Sequence, residues 1–206
     1  PQTLEFGEGS RLYFDTVNAA GGVFGRKIVY TTLDDGFDVK RAVENTRKLI
    51  DEQGVFMIYN NTGTAQTGAI LPLAEESRTF IFGRVTGATA FRNKVNPYLF
   101  HVRASYADEA RRIVSHLQDT GISRVAVLYQ DDGLGKTLLS ELQQAATAAK
   151  ISFNAEVKLD PKAPDYAGAA TAAERAQPQA VLLGVAGGTM TNFIKATLQT
   201  SLRPTF

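Results

Sequence analysis

The 206 residues, 44% of them hydrophobic and 21% charged, have the balance of an ordinary globular protein and suffice for one large domain or two modest ones. Lys and Arg number 22 against 21 Asp and Glu, and the resulting net charge of +1 excludes the strongly basic surface that nucleic acid requires. The longest apolar runs, such as AVLLGVA at 180–186, fall far short of the roughly 20 residues that a membrane-spanning helix needs.

The residue types that bind metals are scarce. Cysteine is absent, which excludes disulfides, thiolate metal sites and a cysteine nucleophile. His101 and His116 have no second ligand type at metal spacing, so we predict structural or surface roles for both, and neither a metal site nor a cofactor. The chain begins at Pro1 without a signal peptide, and we expect that processing or truncation has removed one.

The first half of the chain alternates helical patterns with short apolar strands, which predicts βαβ units and a mainly parallel sheet. Gly21 and Gly22 permit a left-handed turn after the first helix, and the acidic turn at 34–38 is predicted to cap the second. In chain order we predict a helix over 4–18, a strand over 27–33, a helix over 39–52, a strand over 55–59, a helix ending near 76, a strand over 79–83 and an extended segment over 98–102.

The same alternation restarts at Ser105. We predict a helix over 105–117, a strand over 125–129, a helix to 150, a strand over 151–159, a helix over 165–175, a strand over 180–185, a helix over 189–199 and the approach to a further strand at 203–206. The chain thus opens on a helix and closes where a strand should begin. Because half a βαβ unit leaves an apolar helix face uncovered, we expect a fragment of a larger two-lobed protein. The alternative is a one-domain variant that begins and ends with helices.

The segment GLGKT at 133–137 follows a predicted strand and opens a helix, as a nucleotide-binding P-loop does. That pattern requires a glycine at position 130, where Gln130 stands, and Asp131 and Asp132 would repel a polyphosphate. A solvated turn is the better interpretation. The glycines at 21–25 and 184–188 lack the placement or spacing of a dinucleotide fingerprint, and the chain has no G-x-S-x-G elbow.

Small polar loops follow four of the predicted strands, namely NNTGTAQT at 60–67, RVTGAT at 84–89, QDDGLG at 130–135 and VAGG at 185–188. Ligands of open parallel sheets bind at the carboxyl ends of the strands. Hydroxyl and amide side chains, with N–H groups at helix starts, suit a small polar or anionic ligand such as a carboxylate. Ordinary βα turns are the alternative. Because no acid, base or nucleophile accompanies these loops, they favour binding over chemistry.

A set of segments covers nearly the whole chain in the order and spacing of a known family. They are GSRLYFDTVNAAGGVFGRKI at 9–28, TLDDGFDVKRAVENTRKLI at 32–50, GTAQTGAILPLAEE at 63–76, TGATAFR at 86–92, RASYADEARRIVSHL at 103–117, VAVLYQDDGLG at 125–135 and PDYAGAA at 164–170. Together they resemble type I periplasmic substrate-binding proteins of the leucine/isoleucine/valine-binding type, which serve branched-chain amino-acid ABC transporters.

The resemblance implies an α/β fold of two Rossmann-like, doubly wound parallel-sheet lobes, both incomplete here. It assigns residues 1–98 to a first lobe that lacks its first strand. Residues 99–104, with His101 and Arg103, form the first crossover between the lobes. Residues 105–206 form a second lobe without its C-terminal part and the return to the first lobe.

The resemblance also assigns ligand contacts. Thr62, Gly63 and Thr64 match the loop that holds the ligand's carboxylate, and the second loop of the first lobe, which contacts the ammonium group, is matched by Val85, Thr86 and Gly87. The matching positions in the second lobe are Tyr106, Leu134, Ala186 and Gly187. Leu134 and Ala186 stand where several amino-acid binders carry an aromatic residue, and Arg84 and Val85 replace a more usual apolar or proline pair. An aromatic or other organic acid therefore matches as well as an aliphatic amino acid.

The implied function is that of a non-enzymatic, extracytoplasmic solute-binding component of an ABC importer. It would bind a small carboxylate-bearing ligand between its lobes and deliver it to a membrane permease, with no nucleic-acid partner. The implied location is the periplasm, or the outer surface by a lipid anchor in a Gram-positive cell. Two alternatives stay open: a ligand-sensing receptor or regulator on the same fold, and a nucleotide-dependent α/β enzyme.

Overall fold

A computed structural model describes residues 2–206, which form two α/β units. The first unit consists of the residues up to Val85 together with Pro97–Val102, and the second of Thr86–Asn96 together with Arg103–Phe206. The parallel α/β class predicted from the sequence is confirmed. The lobe bounds predicted at 1–98 and 105–206 stay a prediction. Every helix within residues 2–206 is too short or too polar to cross a lipid bilayer.

The first unit holds a three-stranded parallel sheet in the order β1-β2-β3. Ile58, Ile81 and Leu99 are partners in the register of the three strands, so their side chains lie on the same face of the sheet. All three are buried. The elements of this unit are α1 (Gln2–Ala19), α2 (Val39–Arg47), β1 (Met57–Tyr59), α3 (Thr64–Ser77), β2 (Phe80–Phe82) and β3 (Leu99–Phe100).

The prediction of a strand over 27–33 is wrong for this structure. The segment forms no ladder with any described strand, and Val29 is 87% exposed. Strand structure consists of inter-strand hydrogen bonds, so β-branched residues without a neighbouring strand do not supply it. The predicted helix over 39–52 is α-helical to Arg47 and continues as a π-helical turn over Lys48–Glu52. Asp38 accepts a hydrogen bond from the N–H of Arg41, which confirms the predicted cap.

The second unit holds a three-stranded parallel sheet in the order β5-β4-β6. Thr205 adds a parallel bridge to Ala180 on the far side of β6, where the sequence predicted the approach of another strand. The elements of this unit are α4 (Tyr106–Asp119), β4 (Val125–Gln130), α5 (Gly133–Ala148), β5 (Ala155–Leu159), α6 (Tyr166–Arg175), β6 (Ala180–Gly184) and α7 (Gly188–Thr197).

The central strand β4 is buried on both faces, as its continuous apolar run VAVLY requires. Leu128 packs into a cluster with residues of α6 and α7, including Phe193. Val127 faces the other side and packs with residues of α4 and α5, including Val114 and Leu142. Helices on both faces fix the sheet rigidly, so the loops after β4 and β6 start from well-defined positions.

Candidate functional site

The loop after β1 is held to the loop after β2. Asn60, in the left-handed region at φ 58°, donates its backbone N–H to the carbonyl of Phe82 at 2.9 Å. The N–H of Val85 donates to the carbonyl of Asn61 at 3.0 Å. The predicted site residues Thr62 and Val85 are therefore brought to the same edge of the first-unit sheet, at the carboxyl ends of neighbouring parallel strands.

The backbone conformation at position 63 requires a glycine. It precedes α3 with φ 103°, where residues with a side chain are strained. A Cβ at this position would also lie 2.0 Å from Oε1 of Gln66 and 3.2 Å from the ring of Phe37. Gly63 offers no side-chain cap to α3, which begins at Thr64. The helix thus begins without the N-cap side chain that Ser, Thr, Asp or Asn would supply.

Two side-chain oxygens of this loop are buried without a hydrogen-bond partner among the described residues. They are Oδ1 of Asn61 and Oγ1 of Thr62. The amide nitrogen of Asn61 donates to Oγ1 of Thr67 at 2.8 Å, and this hydroxyl donates to the carbonyl of Gly63 at 2.7 Å, so the loop is rigid around them. Buried polar atoms are nearly always paired, and a ligand can supply what this structure lacks. A threonine hydroxyl can donate to a carboxylate, and an amide oxygen can accept from an ammonium group.

Arg84 is 1% exposed. Its Nη2 lies 2.7 Å from Nδ1 of His101. Arg84, which replaces a more usual apolar residue or proline, is thus in contact with His101, for which a structural or surface role was predicted. Because a guanidinium only donates, Nδ1 of His101 acts as the acceptor here. The contact joins the segment that follows β2 to the segment that follows β3.

Thr86 and Gly87 belong to the second unit and lie against the start of α4. The hydroxyl of Thr86 accepts from the N–H of Ala88 at 3.2 Å. The carbonyl of Gly87 accepts from the N–H of Tyr106 at 2.7 Å. Tyr106 is 6% exposed, and a Cβ on Gly87 would lie 2.7 Å from its ring. The structure thus brings these three predicted residues together.

The start of α4 is fixed by a capping box. The hydroxyl of Ser105 accepts from the N–H of Asp108, whose carboxylate in turn accepts from the hydroxyl and N–H of Ser105. These hydrogen bonds lower the pKa of the Asp108 carboxyl. The guanidinium of Arg103 lies 5.1 Å from the ring centroid of Tyr106 and pairs with Glu109. The orientation of Tyr106 is therefore set by its own helix start.

Leu134 and Ala186 are connected through one buried amide, that of Gln130. Its Oε1 accepts from the N–H of Ala186 at 3.1 Å, and its Nε2 donates to the carboxylate of Asp132. Asp132 caps α5 by accepting from the N–H of Leu134 at 2.9 Å. The loops after the neighbouring strands β4 and β6 are thus fixed relative to each other, and Gly187 follows with φ 58°.

Lys136 is not arranged to hold a phosphate. Its ammonium lies 2.7 Å from the carboxylate of Asp131, which Lys158 approaches at 3.4 Å. Hydrogen bonds from the two lysines lower the pKa of the Asp131 carboxyl, and the carboxylate raises the pKa of Lys136. Asp132 is engaged as the helix cap. The geometry supports the solvated turn over the P-loop.

The predicted residues thus fall into three groups: Thr62 to Thr64 with Val85, Thr86 and Gly87 with Tyr106, and Leu134 with Ala186 and Gly187. Sequence reasoning did not select Asn61, Gln130 or the contact between Arg84 and His101. The available signal was the position of Asn61 and Gln130, polar residues at or just after the carboxyl ends of parallel strands. Within residues 2–206, no three His, Asp or Glu side chains are grouped so as to hold a metal ion.

Comparison with known proteins identifies the family and the fold. A family model described as "Periplasmic binding protein" matches residues 4–205. A curated relative, "Leu/Ile/Val-binding protein homolog 8" of Brucella abortus (strain 2308), is 26% identical over 157 residues, which are 72% of this chain and 39% of the relative.

Two solved structures have the same fold. One is a substrate-binding periplasmic protein from Ralstonia solanacearum, with a TM-score of 0.86 and 27% identity over 93% of this chain and 54% of that one. The other is an extracellular ligand-binding receptor from Verminephrobacter eiseniae, with a TM-score of 0.81 and 29% identity over 93% of this chain and 56% of that one. The chain therefore matches between 39% and 56% of the length of these relatives.

Proposed function

The chain belongs to the periplasmic binding protein family, and from this membership we propose that it is the extracytoplasmic solute-binding part of an ABC importer. It binds a small carboxylate-bearing ligand and passes it to a membrane permease, with no chemical conversion. A ligand shifts such a protein toward the form that it binds more tightly, by the difference between its affinities for the two forms.

The observation that carries the proposal is the pair of buried, unpartnered oxygens in the loop after β1. Oγ1 of Thr62 and Oδ1 of Asn61 are desolvated in the described structure without a protein partner. Leaving them so costs free energy that a ligand with hydrogen-bonding groups recovers. The uncapped start of α3 adds N–H groups that favour an anion.

These groups select a ligand that carries both signs of charge or one carboxylate with a polar neighbour. In our proposal Thr62, Gly63 and Thr64 hold the carboxylate, while Asn61 accepts from a ligand donor. Val85, Thr86 and Gly87 line the second contact loop.

The second unit offers Tyr106, Leu134, Ala186 and Gly187 for the remainder of the ligand. Leu134 is half-buried and Ala186 is exposed. Leucine and alanine leave space that an aromatic side chain at the same positions would fill. The ligand class is accordingly an amino acid or an aromatic or other organic acid.

The test is calorimetry with purified full-length protein against a panel of aliphatic and aromatic amino acids and aromatic carboxylates, with ATP as the opposing probe. We expect saturable binding of at least one carboxylate. After prolonged incubation with the protein, the concentration of that ligand should be unchanged and no product should be present. Clear binding of ATP together with failure of every carboxylate would overturn the proposal in favour of a nucleotide-dependent protein.

A further inference from the structure

The outer edge of β5 in the second unit is an open strand edge. β5 pairs with β4 on one side, and no described strand lies on its other side. The carbonyl of Leu159 accepts from the N–H of Asp131 at 2.8 Å, so Leu159 and, two residues before it, Val157 direct their backbone groups toward β4. By the alternation of a strand, Glu156 and Lys158 direct their N–H and C=O groups toward the open side.

There is room for another strand along this edge. A trough of about 490 Å³ lies beside β5 and is bordered by the segment that leads into α6 and by α6 itself. Of the exposed residues on that border, Asp160 and Asp165 have carboxylates that accept from the N–H groups of Lys162 and Gly168, and the others, Ala163, Gly168 and Ala172, are small. Because their side chains do not project across the strand, an approaching backbone can reach hydrogen-bonding distance.

Open edges are commonly protected by charges that repel a second strand. Here the two charges have opposite signs and flank Val157: Glu156 precedes it and Lys158 follows it. In an antiparallel pair of two identical strands with the two-fold axis at Val157, each Glu156 lies opposite the Lys158 of the other copy. An axis at Glu156 or at Lys158 would instead place like charges opposite each other, which is unfavourable.

We propose that β5 pairs antiparallel with β5 of a second copy of this chain, with Val157 on the two-fold axis. Glu156 and Lys158 of opposite copies form the hydrogen-bonded pairs, and their side chains form ion pairs on one face of the joined sheet. Within one copy, Glu156 accepts from the amide of Gln143 at 2.8 Å, and Lys158 lies 3.4 Å from Asp131. These contacts keep both side chains on the face that carries α5.

Charge reversal tests the register. Glu156→Lys and Lys158→Glu each place like charges opposite each other at two symmetric positions, so we expect each to raise the dimer dissociation constant by about tenfold or more. The double variant Glu156→Lys with Lys158→Glu restores opposite charges and should restore the dimer. Sedimentation velocity of the full-length protein across a concentration series measures all three. Glu44→Lys and Lys40→Glu, an exposed pair on α2, are the charge-matched controls and should sediment as the parent does.

A disulfide tests the position of the axis. The chain has no cysteine, so Val157→Cys introduces one thiol. In a pair without mutual hydrogen bonds the Cα atoms are about 4.5 Å apart, which suits a disulfide. We expect a disulfide-linked dimer on mild oxidation. In the control Leu159→Cys the two thiols would lie about 13 Å apart along the strands and stay reduced.

A protein that sediments as a monomer up to about 100 μM, far above the dissociation constants of ordinary specific complexes, would overturn the proposal. A dimer whose dissociation constant is unchanged by both single charge reversals would also overturn it. So would a disulfide-linked dimer that forms as readily in Leu159→Cys as in Val157→Cys. None of these outcomes tests ligand binding, because these variants change none of the proposed ligand-contacting residues.

Discussion

The backbone N–H of Tyr106 donates a 2.7 Å hydrogen bond to the carbonyl of Gly87, and the tyrosine ring occupies the space where a Cβ on that glycine would lie. This contact joins the segment after β2 to the first turn of α4. Thr86–Asn96 consequently packs with the second unit, although Pro97–Val102, later in the chain, packs with the first. This hydrogen bond and this ring contact thus help to attach the segment 86–96 to the rest of the second unit.

We predict that Gly87→Ala destabilises the second unit by about 1 to 3 kcal/mol, the usual cost of forcing a methyl group into a filled space. The added Cβ would lie 2.7 and 2.9 Å from two atoms of the Tyr106 ring and 3.0 Å from the carbonyl of Ala104. Urea denaturation followed by circular dichroism measures the loss. Gly188→Ala is the matched control, because a Cβ there meets no atom within 4 Å, and its stability should stay within about 0.5 kcal/mol of the parent.

We predict that Gln130→Leu lowers the free energy of unfolding by about 1 to 3 kcal/mol. The loss is expected even though leucine is apolar and Gln130 is only 4% exposed. The change leaves the N–H of Ala186 without its acceptor and removes the donor to Asp132. Faster hydrogen exchange at the Ala186 amide would show that the loop after β6 has lost its attachment. Gln118→Leu, which removes an exposed amide bonded to the carbonyl of Ala149, should change stability little. Equal effects of the two variants would contradict this role of Gln130.

The sequence predicted the second unit well because its signals are local and strong. The run VAVLY gives a strand that is buried on both faces, and the Asp132 cap with GLG gives the start of α5. The partnership of Gln130 with Ala186 could not be predicted in this way. It joins residues that are 56 positions apart, and only the order β5-β4-β6 makes them neighbours.

The first unit was predicted less well, for a related reason. The β-branched run at 27–33 favours a strand locally, but a strand also requires a partner, and the described residues supply none. The loop Asn60–Thr64 was found from its composition and its place after a strand. Its unpartnered oxygens depend on how Val85 and Thr67 fold back on it, which composition does not encode.

Lys136→Gln should raise the pKa of the Asp131 carboxyl toward its ordinary value, because the ammonium of Lys136 is the largest cause of its depression. A carboxyl pKa that is lower in the folded state stabilises the fold above the ordinary carboxyl pKa, and this contribution is lost as the pH falls through the folded value. The variant should therefore show a smaller loss of stability on acidification. Carboxyl-carbon NMR titration measures the pKa directly. Lys40→Gln should leave the Asp131 titration unchanged, and an unchanged Asp131 in Lys136→Gln would contradict the assignment.

The most direct test of the proposed function is Thr62→Val, studied by calorimetry and by urea denaturation. Valine keeps the shape of threonine and removes only Oγ1, which has no partner among the described residues. We predict that affinity for the carboxylate identified in the panel, with L-leucine and benzoate as the first probes, falls about tenfold, the effect of one hydrogen bond to a charged group. Thr16→Val, at a hydroxyl of α1 bonded to the carbonyl of Leu12, should bind as the parent does.

The stability of the ligand-free protein should respond in the opposite sense. Removing a buried, unpartnered hydroxyl makes Thr62→Val as stable as the parent or more stable, by up to about 1 kcal/mol. Weaker carboxylate binding combined with undiminished stability is therefore the result that the proposal predicts. A Thr62→Val variant that binds carboxylates as tightly as the parent, or that is destabilised in the absence of ligand, would contradict it.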